Sequence, residues 1–165
     1  MKLYIKQKVF SFKDKFNIYD ESGESRYYVE GEVFSLGKKL HVFDNNGNEI
    51  AFIKQKVPSL LMKFFIERKD STMNVNALVE KQFSLKPSYR INEFGWNVTG
   101  DFFAHNYVIE GPNGTVATIT KKWMSWGDSY EIDIASGQDN VNVLCVVLVI
   151  DACLAAEAAT ANSSS

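Results

Sequence analysis

Residues 143–150 read Val143-Leu144-Cys145-Val146-Val147-Leu148-Val149-Ile150, eight apolar residues without a break. Asp151 follows, and an alanine-rich stretch then continues to Ala161. Alanine favours helix, and the complete element is too long for a single β-strand. A membrane-spanning helix needs about 20 apolar residues, whereas Asp151 interrupts this run after eight. A helix that is apolar on all sides is buried within protein, so we predict one enclosed helix from about residue 141 to about residue 156.

Short alternating segments separated by turn sequences fill the first 135 residues. Asp44-Asn45-Asn46-Gly47 and Gly111-Pro112-Asn113-Gly114 each separate two apolar segments, as in β-hairpins. A series of such hairpins is typical of a meander or a barrel, and the enclosed helix favours a barrel. We therefore predict a mainly β fold, a closed antiparallel barrel around the C-terminal helix. The predicted core includes Val42, Ile50, Phe52, Val108, Val116 and Ile119.

Two segments of the strand region have closely similar counterparts further along the chain. Residues 29–34, Val-Glu-Gly-Glu-Val-Phe, align with residues 98–103, Val-Thr-Gly-Asp-Phe-Phe. Residues 46–56 align with residues 113–122, including the lysines at the end. The pattern predicts two duplicated halves, although hairpins also converge on such sequences. We expect one domain over residues 1–161 and a polar tail over residues 162–165.

Composition and charge limit the classes of partner and compartment. The net charge of −2 provides no overall basic field for nucleic acid, so we expect no nucleic-acid partner. Charged residues interrupt the N-terminal segment, which lacks the continuous apolar stretch of a signal peptide. Cys145 and Cys153 lie eight apart in one predicted helix, too far apart for a disulfide. We therefore expect buried, unreactive thiols and a cytoplasmic protein. The lysine and tryptophan hypothesis given below adds a position at the periphery of the membrane.

No pattern in the sequence points to catalysis. His41 and His105 are the two histidines, and neither has a second His or Cys at ligand spacing, so we expect no metal. No serine lies in a nucleophile elbow, and no glycine-rich phosphate loop is present. We therefore assign no catalytic residue and expect no cofactor.

Lysines recur at the ends of equivalent predicted strands, followed by tryptophan. If these strand ends meet at one rim of the barrel, they form a cationic patch for a phosphate headgroup. Tryptophan rings suit a lipid interface. The alternative is that the lysines deter strand aggregation and that the tryptophans close the barrel end. The predicted headgroup residues are Lys54, Lys56, Lys121 and Lys122, and the predicted interfacial residues are Trp123 and Trp126.

The alternation of strand residues limits this lysine patch. Adjacent strand residues point to opposite faces, so Lys121 and Lys122 cannot both contribute to one face.

The apolar segment 58–66 predicts a strand that buries Leu61, Phe64 and Ile66, with an exposed docking loop as the alternative.

Asp151 is the one ionisable residue inside the apolar helix. A buried carboxylate must be paired or hydrogen-bonded, or it takes up a proton. We interpret Asp151 as a structural anchor to a strand backbone, with a functional group as the alternative.

Several of these segments together resemble the LURP-one-related family. The resemblance rests on residues 5–12, the paired Val-x-Gly-acidic-x-Phe segments, residues 119–132 and Val149-Ile150-Asp151. That family is similar to the tubby C-terminal domain and the phospholipid scramblases, which implies a twelve-stranded closed barrel around a central hydrophobic helix. Tubby-like members bind phosphoinositides, whereas many small relatives have no assigned activity, and shared fold is weak grounds for shared function.

The sequence predicts a non-enzymatic binding or scaffold domain. Its expected partner is an anionic phospholipid or a protein at the membrane surface. Two alternatives stay open: a protein-interaction module without lipid contact, and, least favoured, a small enzyme with a site at the barrel mouth.

Overall fold

Strands account for most of the structure, and one long helix follows them. The computed structural model describes residues 1–6, 15–32, 35–70, 76–125 and 127–164. The elements in these residues are β1 (Lys2–Lys6), β2 (Phe16–Tyr19), β3 (Ser25–Gly31), β4 (Lys39–Asp44), β5 (Glu49–Gln55), β6 (Lys63–Arg68), β7 (Ala77–Lys81), β8 (Ser88–Ile91), β9 (Trp96–Asp101), β10 (Asn106–Gly111), β11 (Gly114–Met124), β12 (Gly127–Ile134) and α1 (Asn140–Ser163).

The twelve described strands form a closed antiparallel barrel, which confirms the predicted fold. Each strand pairs with its neighbours in the chain, and β1 pairs with β12 to close the ring. Because every strand reverses direction, the connections alternate between the two ends of the barrel. Those after β1, β3, β5, β7, β9 and β11 lie at one end. This end also contains the C-terminal part of α1, so we call it the C-end and the other the N-end.

The helix α1 occupies the interior of the barrel. Asp139 caps it, because its side chain accepts a hydrogen bond of 2.8 Å from the backbone nitrogen of Asn142. Residues 143–150 are completely buried, which requires strands on every side of the helix. By length and composition α1 is also long and apolar enough to cross a membrane, a property that buried core helices share. The helix starts as predicted but continues to Ser163, so the expected tail residues Asn162 and Ser163 form its exposed last turn.

The two halves of the barrel share their strand register. Val29 in β3 faces Val42 in β4, and the aligned Val98 in β9 faces Ile109 in β10. The next pairings, β4–β5 and β10–β11, shift register at equivalent positions, directly after Val42 and Ile109. This agreement supports the predicted duplication. Equivalent strands are six positions apart in a ring of twelve, so equivalent residues lie on opposite sides of the barrel.

Two of the core assignments are wrong, one of them because of a register shift. Val42, Ile50, Val116 and Ile119 are buried, whereas Phe52 and Val108 are only half-buried. The bulge makes Ile50 an extra residue, so Ala51 and Ile53 point inward and Phe52 points outward. Val108 lies between two inward residues of β10.

The strand predicted within residues 58–66 starts later than the apolar pattern indicates. The strand β6 begins at Lys63 and buries Phe64 and Ile66 as expected. Leu61 is only half-buried and lies in the preceding connection, where Leu60 is fully exposed. The connection therefore matches the alternative of an exposed apolar loop.

Candidate membrane-facing site at the C-end

Exposed apolar side chains concentrate at the C-end. Apart from Met1, every large hydrophobic side chain that is exposed in the described residues lies in a C-end connection or in a strand segment close to one. They are Leu36, Val57, Leu60, Phe65, Phe83, Leu85, Phe103 and Trp123. A protein that stays free in water rarely exposes a large contiguous apolar patch, so this rim of loops is a candidate interaction surface.

Basic residues concentrate at the same end. Lysines occupy its connections and the adjoining strand ends: Lys38, Lys39, Lys54, Lys56, Lys63, Lys81, Lys86, Lys121 and Lys122. The connections at the N-end are acidic, with Asp20, Glu21, Glu24, Asp44, Asp70, Glu93 and Asp139. The two ends therefore differ in charge, although Glu32, Glu80 and Glu157 pair with lysines at the C-end.

Lys54 and Lys56 line a cavity between β4, β5 and β6, which we call the lysine pocket. The cavity has a volume of about 330 Å³ and is lined by Leu36, Lys39, Lys54, Gln55, Lys56, Val57 and Phe65. Lys54 faces Lys39 on one neighbouring strand and Phe65 on the other. The ammonium of Lys56 lies 5.9 Å from the centre of the Phe65 ring.

The charge in the lysine pocket is only partly compensated. Lys39 donates a hydrogen bond of 3.1 Å to Glu32. Within the described residues, Lys54 and Lys56 form no ion pair with a carboxylate. Like charges directly opposite on paired strands are unfavourable, so an anion between Lys39 and Lys54 would reduce their repulsion.

Lys121 and Lys122 lie at the same end but on the opposite side of the barrel. They are in β11, six strands from β5, so the four lysines do not form the single patch that the sequence predicted. The duplication explains this outcome, because equivalent positions in the two halves are half a ring apart. Lys121 lies 3.7 Å from Asp128 and Lys122 lies 3.9 Å from Glu131, so both have acidic neighbours.

The predicted interfacial residues have different outcomes. Trp123 is 78% exposed next to these lysines, so it does not close the end of the barrel. Trp126 lies outside the described residues.

Asp151 is buried in α1 close to the C-end. The hydroxyl of Tyr130 in β12 donates a hydrogen bond to one of its oxygens. His105 Nε2 lies 3.5 Å from the other, Oδ1. Burial raises the pKa of Asp151 above its ordinary value, although His105 and Tyr130 act in the opposite direction. The partner of the helix is therefore a strand side chain rather than the expected strand backbone.

Sequence reasoning did not connect His105 and Tyr107 with Asp151. His105 Nδ1, the Tyr107 hydroxyl and Asp151 Oδ1 are the buried side-chain polar atoms without a hydrogen-bond partner in the described residues. His105 has φ +50°, a left-handed conformation that histidine tolerates better than most residues. The only signal in the sequence was the position of His105 in a predicted turn.

The two cysteines and the possible metal ligands show no reactive arrangement. Burial raises the pKa of Cys145 and of Cys153 to about 12, as expected for unreactive thiols. In the part of the chain that the structure describes, no group of three His, Cys, Asp or Glu residues is placed to hold a metal ion.

Comparison with known proteins supplies the family. The LURP-one-related family matches residues 1–151. The uncharacterised protein YxjI of Bacillus subtilis is 35% identical over 151 residues, which is 92% of each chain. The X-ray structure of a protein from Arabidopsis thaliana has the same fold, with a TM-score of 0.65 at 18% identity over 91% of this chain and 88% of that one. The chain therefore belongs to the LURP-one-related family.

Proposed function

We propose that this protein binds anionic membrane surfaces with the C-end of its barrel. The lysine pocket receives a phosphate headgroup, and the exposed loops around it enter the lipid interface. The observation that carries the proposal is the position of Lys54 and Lys56, whose charges lie directly beside the exposed side chains of Leu36, Val57 and Phe65. Unpaired cations next to exposed apolar groups match an anionic membrane surface, in which charged headgroups lie above the hydrocarbon.

The free-energy contributions of these contacts can be compared with those needed for a given dissociation constant. Each lysine near an anionic surface contributes about 1 kcal/mol, so the three of the pocket contribute about 3 kcal/mol. Burial of Leu36 and of Leu60 adds roughly 1.5–3 kcal/mol each. A dissociation constant of about 1 μM corresponds to about 8 kcal/mol. These contributions total about 6–9 kcal/mol before the cost of association, so micromolar binding is an upper limit for the lysine pocket and its loops.

A flat target explains why both sides of the barrel carry similar residues. A surface perpendicular to the barrel axis touches the lysine pocket and, on the far side, Lys122 and Trp123 at the same time. A small soluble ligand contacts only one side. The proposal further places the protein in the cytoplasm, at the membrane periphery, and the free buried cysteines are consistent with a reducing compartment.

Liposome co-sedimentation tests this function. The wild-type protein is mixed with vesicles of phosphatidylcholine alone or with about a third phosphatidylserine, at low and at physiological salt. We expect binding to the anionic vesicles only, and weaker binding as salt rises, because ions screen charges beyond about 8–10 Å. The variant K54E/K56E should lose binding.

The matched control is R26E/R90E, which changes the charge by the same amount at the opposite end. Arg26 begins β3 at the N-end and Arg90 lies near the N-end of β8. The R26E/R90E variant should bind anionic vesicles like the wild type. If the wild-type protein ignores anionic vesicles at low salt, the proposal is wrong and the protein-interaction interpretation stands.

A further inference from the structure

The buried polar atoms without a hydrogen-bond partner are concentrated at one place in the described residues. His105 Nδ1, Tyr107 Oη and Asp151 Oδ1 belong to side chains of one cluster, close to the C-terminal half of α1. Burial first, and then the charge of Asp151, raise the pKa of the Tyr107 hydroxyl. Buried polar atoms in folded proteins are nearly always hydrogen-bonded, so this group of unsatisfied atoms requires an explanation.

A cavity adjoins this cluster, and we call it the Asp151 cavity. Its volume is about 250 Å³, and its lining combines one polar region with one apolar wall. The polar region is formed by His105, Tyr130 and Asp151. The apolar wall consists of Phe103, Leu154, Ala155 and Ala158. A cavity with convergent polar groups and an apolar wall is the usual form of a small-molecule site.

The backbone at His105 holds its ring in this cluster. Among the described residues, His105 is the one non-glycine residue with a positive φ, and its backbone nitrogen closes the turn by a 3.1 Å hydrogen bond to Phe102. Its ring stacks on Tyr130, with the ring centres 4.3 Å apart. Strained residues of this kind occur preferentially at functional sites.

The chemistry of Asp151 defines what the cavity can bind. His105 Nε2 faces Asp151 Oδ1 at 3.5 Å, beyond the usual hydrogen-bond distance, so this oxygen is open to a closer donor. A carboxylate oxygen accepts hydrogen bonds, so the complementary group is a donor. A primary ammonium has three donors and no acceptor, and its charge compensates a buried carboxylate.

We propose that the Asp151 cavity binds a small amphiphile with a primary ammonium head. The ammonium donates to Asp151 beside His105, and the hydrocarbon lies along Phe103, Leu154 and Ala155. At roughly 30 Å³ per water-sized unit, the volume suits a head and a short chain of about six carbons.

Hexylamine is the probe, and NMR of the imidazole protons is the measurement. The protein has two histidines, and His41 on the outer surface is the internal reference. The variant H105N assigns the signals, because asparagine tolerates the left-handed conformation. We expect saturable shifts at His105 with hexylamine, binding weaker by about tenfold or more with hexan-1-ol, and none with hexanoate. No lipid is present, so the result is independent of the membrane proposal.

Equal binding of hexan-1-ol, or any binding of hexanoate, overturns the assigned chemistry. A lack of saturation with hexylamine overturns the site, and so do shifts of equal size at His41.

Two variants locate the site. D151N keeps the shape of the side chain and removes its charge, and it should weaken hexylamine binding by about tenfold or more. If D151N does not fold, A155L decides the question, because it fills the apolar wall and leaves the polar cluster intact. A155L should abolish binding, whereas A159L, at an exposed position of α1 outside the lining, should bind like the wild type. Wild-type affinity in A155L overturns the proposal.

Discussion

Arg68 Nη1 in β6 donates a hydrogen bond of 2.7 Å to Oδ1 of Asp139, the residue that caps α1. The same nitrogen also donates to Asn142 in the first turn of the helix, and the rest of the guanidinium binds Asp70. Arg68 is 6% exposed. It therefore connects the wall of the barrel to the start of the enclosed helix.

Replacing Arg68 by alanine should destabilise the protein by about 1.5–3 kcal/mol, because Asp139 and Asp70 lose the charged hydrogen bonds of their cation but are themselves partly exposed to water. Urea unfolding followed by circular dichroism measures the change. The control is R90A, since Arg90 is exposed and its hydrogen bond to Asn97 is long, at 3.4 Å. Equal stabilities of the two variants would show that Arg68 does not hold the helix in place.

His41 lies between two carboxylates on the outer surface of the barrel. Its Nδ1 is 2.6 Å from Glu49 and its Nε2 is 3.0 Å from Glu32. Burial by itself lowers the pKa of His41, but the two glutamates outweigh it and raise the pKa above 6.5. Hydrogen bonds from His41 and Lys39 lower the pKa of Glu32 below 4.5. For Glu49, Lys69 and His41 outweigh burial, and its pKa is also below 4.5.

The raised pKa of His41 and the lowered pKa values of Glu32 and Glu49 predict a pH range in which these groups stabilise the fold most. The raised pKa of His41 stabilises the fold fully below about pH 6.5, and this contribution is lost as the pH rises through the folded-state pKa. The lowered pKa values of the glutamates stabilise above about pH 4.5, and this contribution is lost as the pH falls. H41Q should therefore cost about 0.5–1 kcal/mol between these values and less at about pH 8. A stability difference between H41Q and wild type that does not vary with pH in urea titrations contradicts this prediction.

Gly100 in β9 cannot carry a side chain. It has φ +138°, and a Cβ there would lie 2.6 Å from Cα of Tyr107 and 2.7 Å from the carbonyl oxygen of Asn106. Gly47 is the matched control, because it has φ +81° and nothing within 4 Å of its Cβ position. G47A should cost about 1–2 kcal/mol from the left-handed conformation alone, and G100A should cost more. A smaller loss in G100A than in G47A by thermal unfolding would be inconsistent with this backbone contact.

The apolar part of the proposed membrane contact can be tested separately from the charges. Leu36 and Leu60 are exposed in neighbouring connections of the C-end. L36S/L60S should weaken co-sedimentation with anionic vesicles by roughly 3–6 kcal/mol, since each leucine contributes roughly 1.5–3 kcal/mol on burial. It should leave the salt dependence unchanged, because no charge is altered. Unchanged binding would restrict the contact to the lysines.

The sequence alone determined the architecture of this protein, because local patterns encode it. The apolar run 143–150 requires strands on all sides, and the turn sequences Asp44–Gly47 and Gly111–Gly114 specify hairpins. The repeated Val-x-Gly segments also anticipated the common register of β3–β4 and β9–β10. Hydrophobic period and turn chemistry act over a few residues, so they can be read without the fold.

The tertiary structure decided which residues meet. Closure of the ring placed Lys54 and Lys121 on opposite sides, although the duplication makes their positions in the sequence look alike. The bulge before Ala51 turned Phe52 outward. Arg68 forms a hydrogen bond with Asp139, which is 71 residues away in the sequence, and Asp151 forms one with Tyr130, which is 21 residues away. The separation of the lysines depends on the number of strands in the ring, and the orientation of Phe52 depends on one inserted residue. The side-chain pairs form only when the barrel closes around the helix. A local sequence pattern does not contain any of this information.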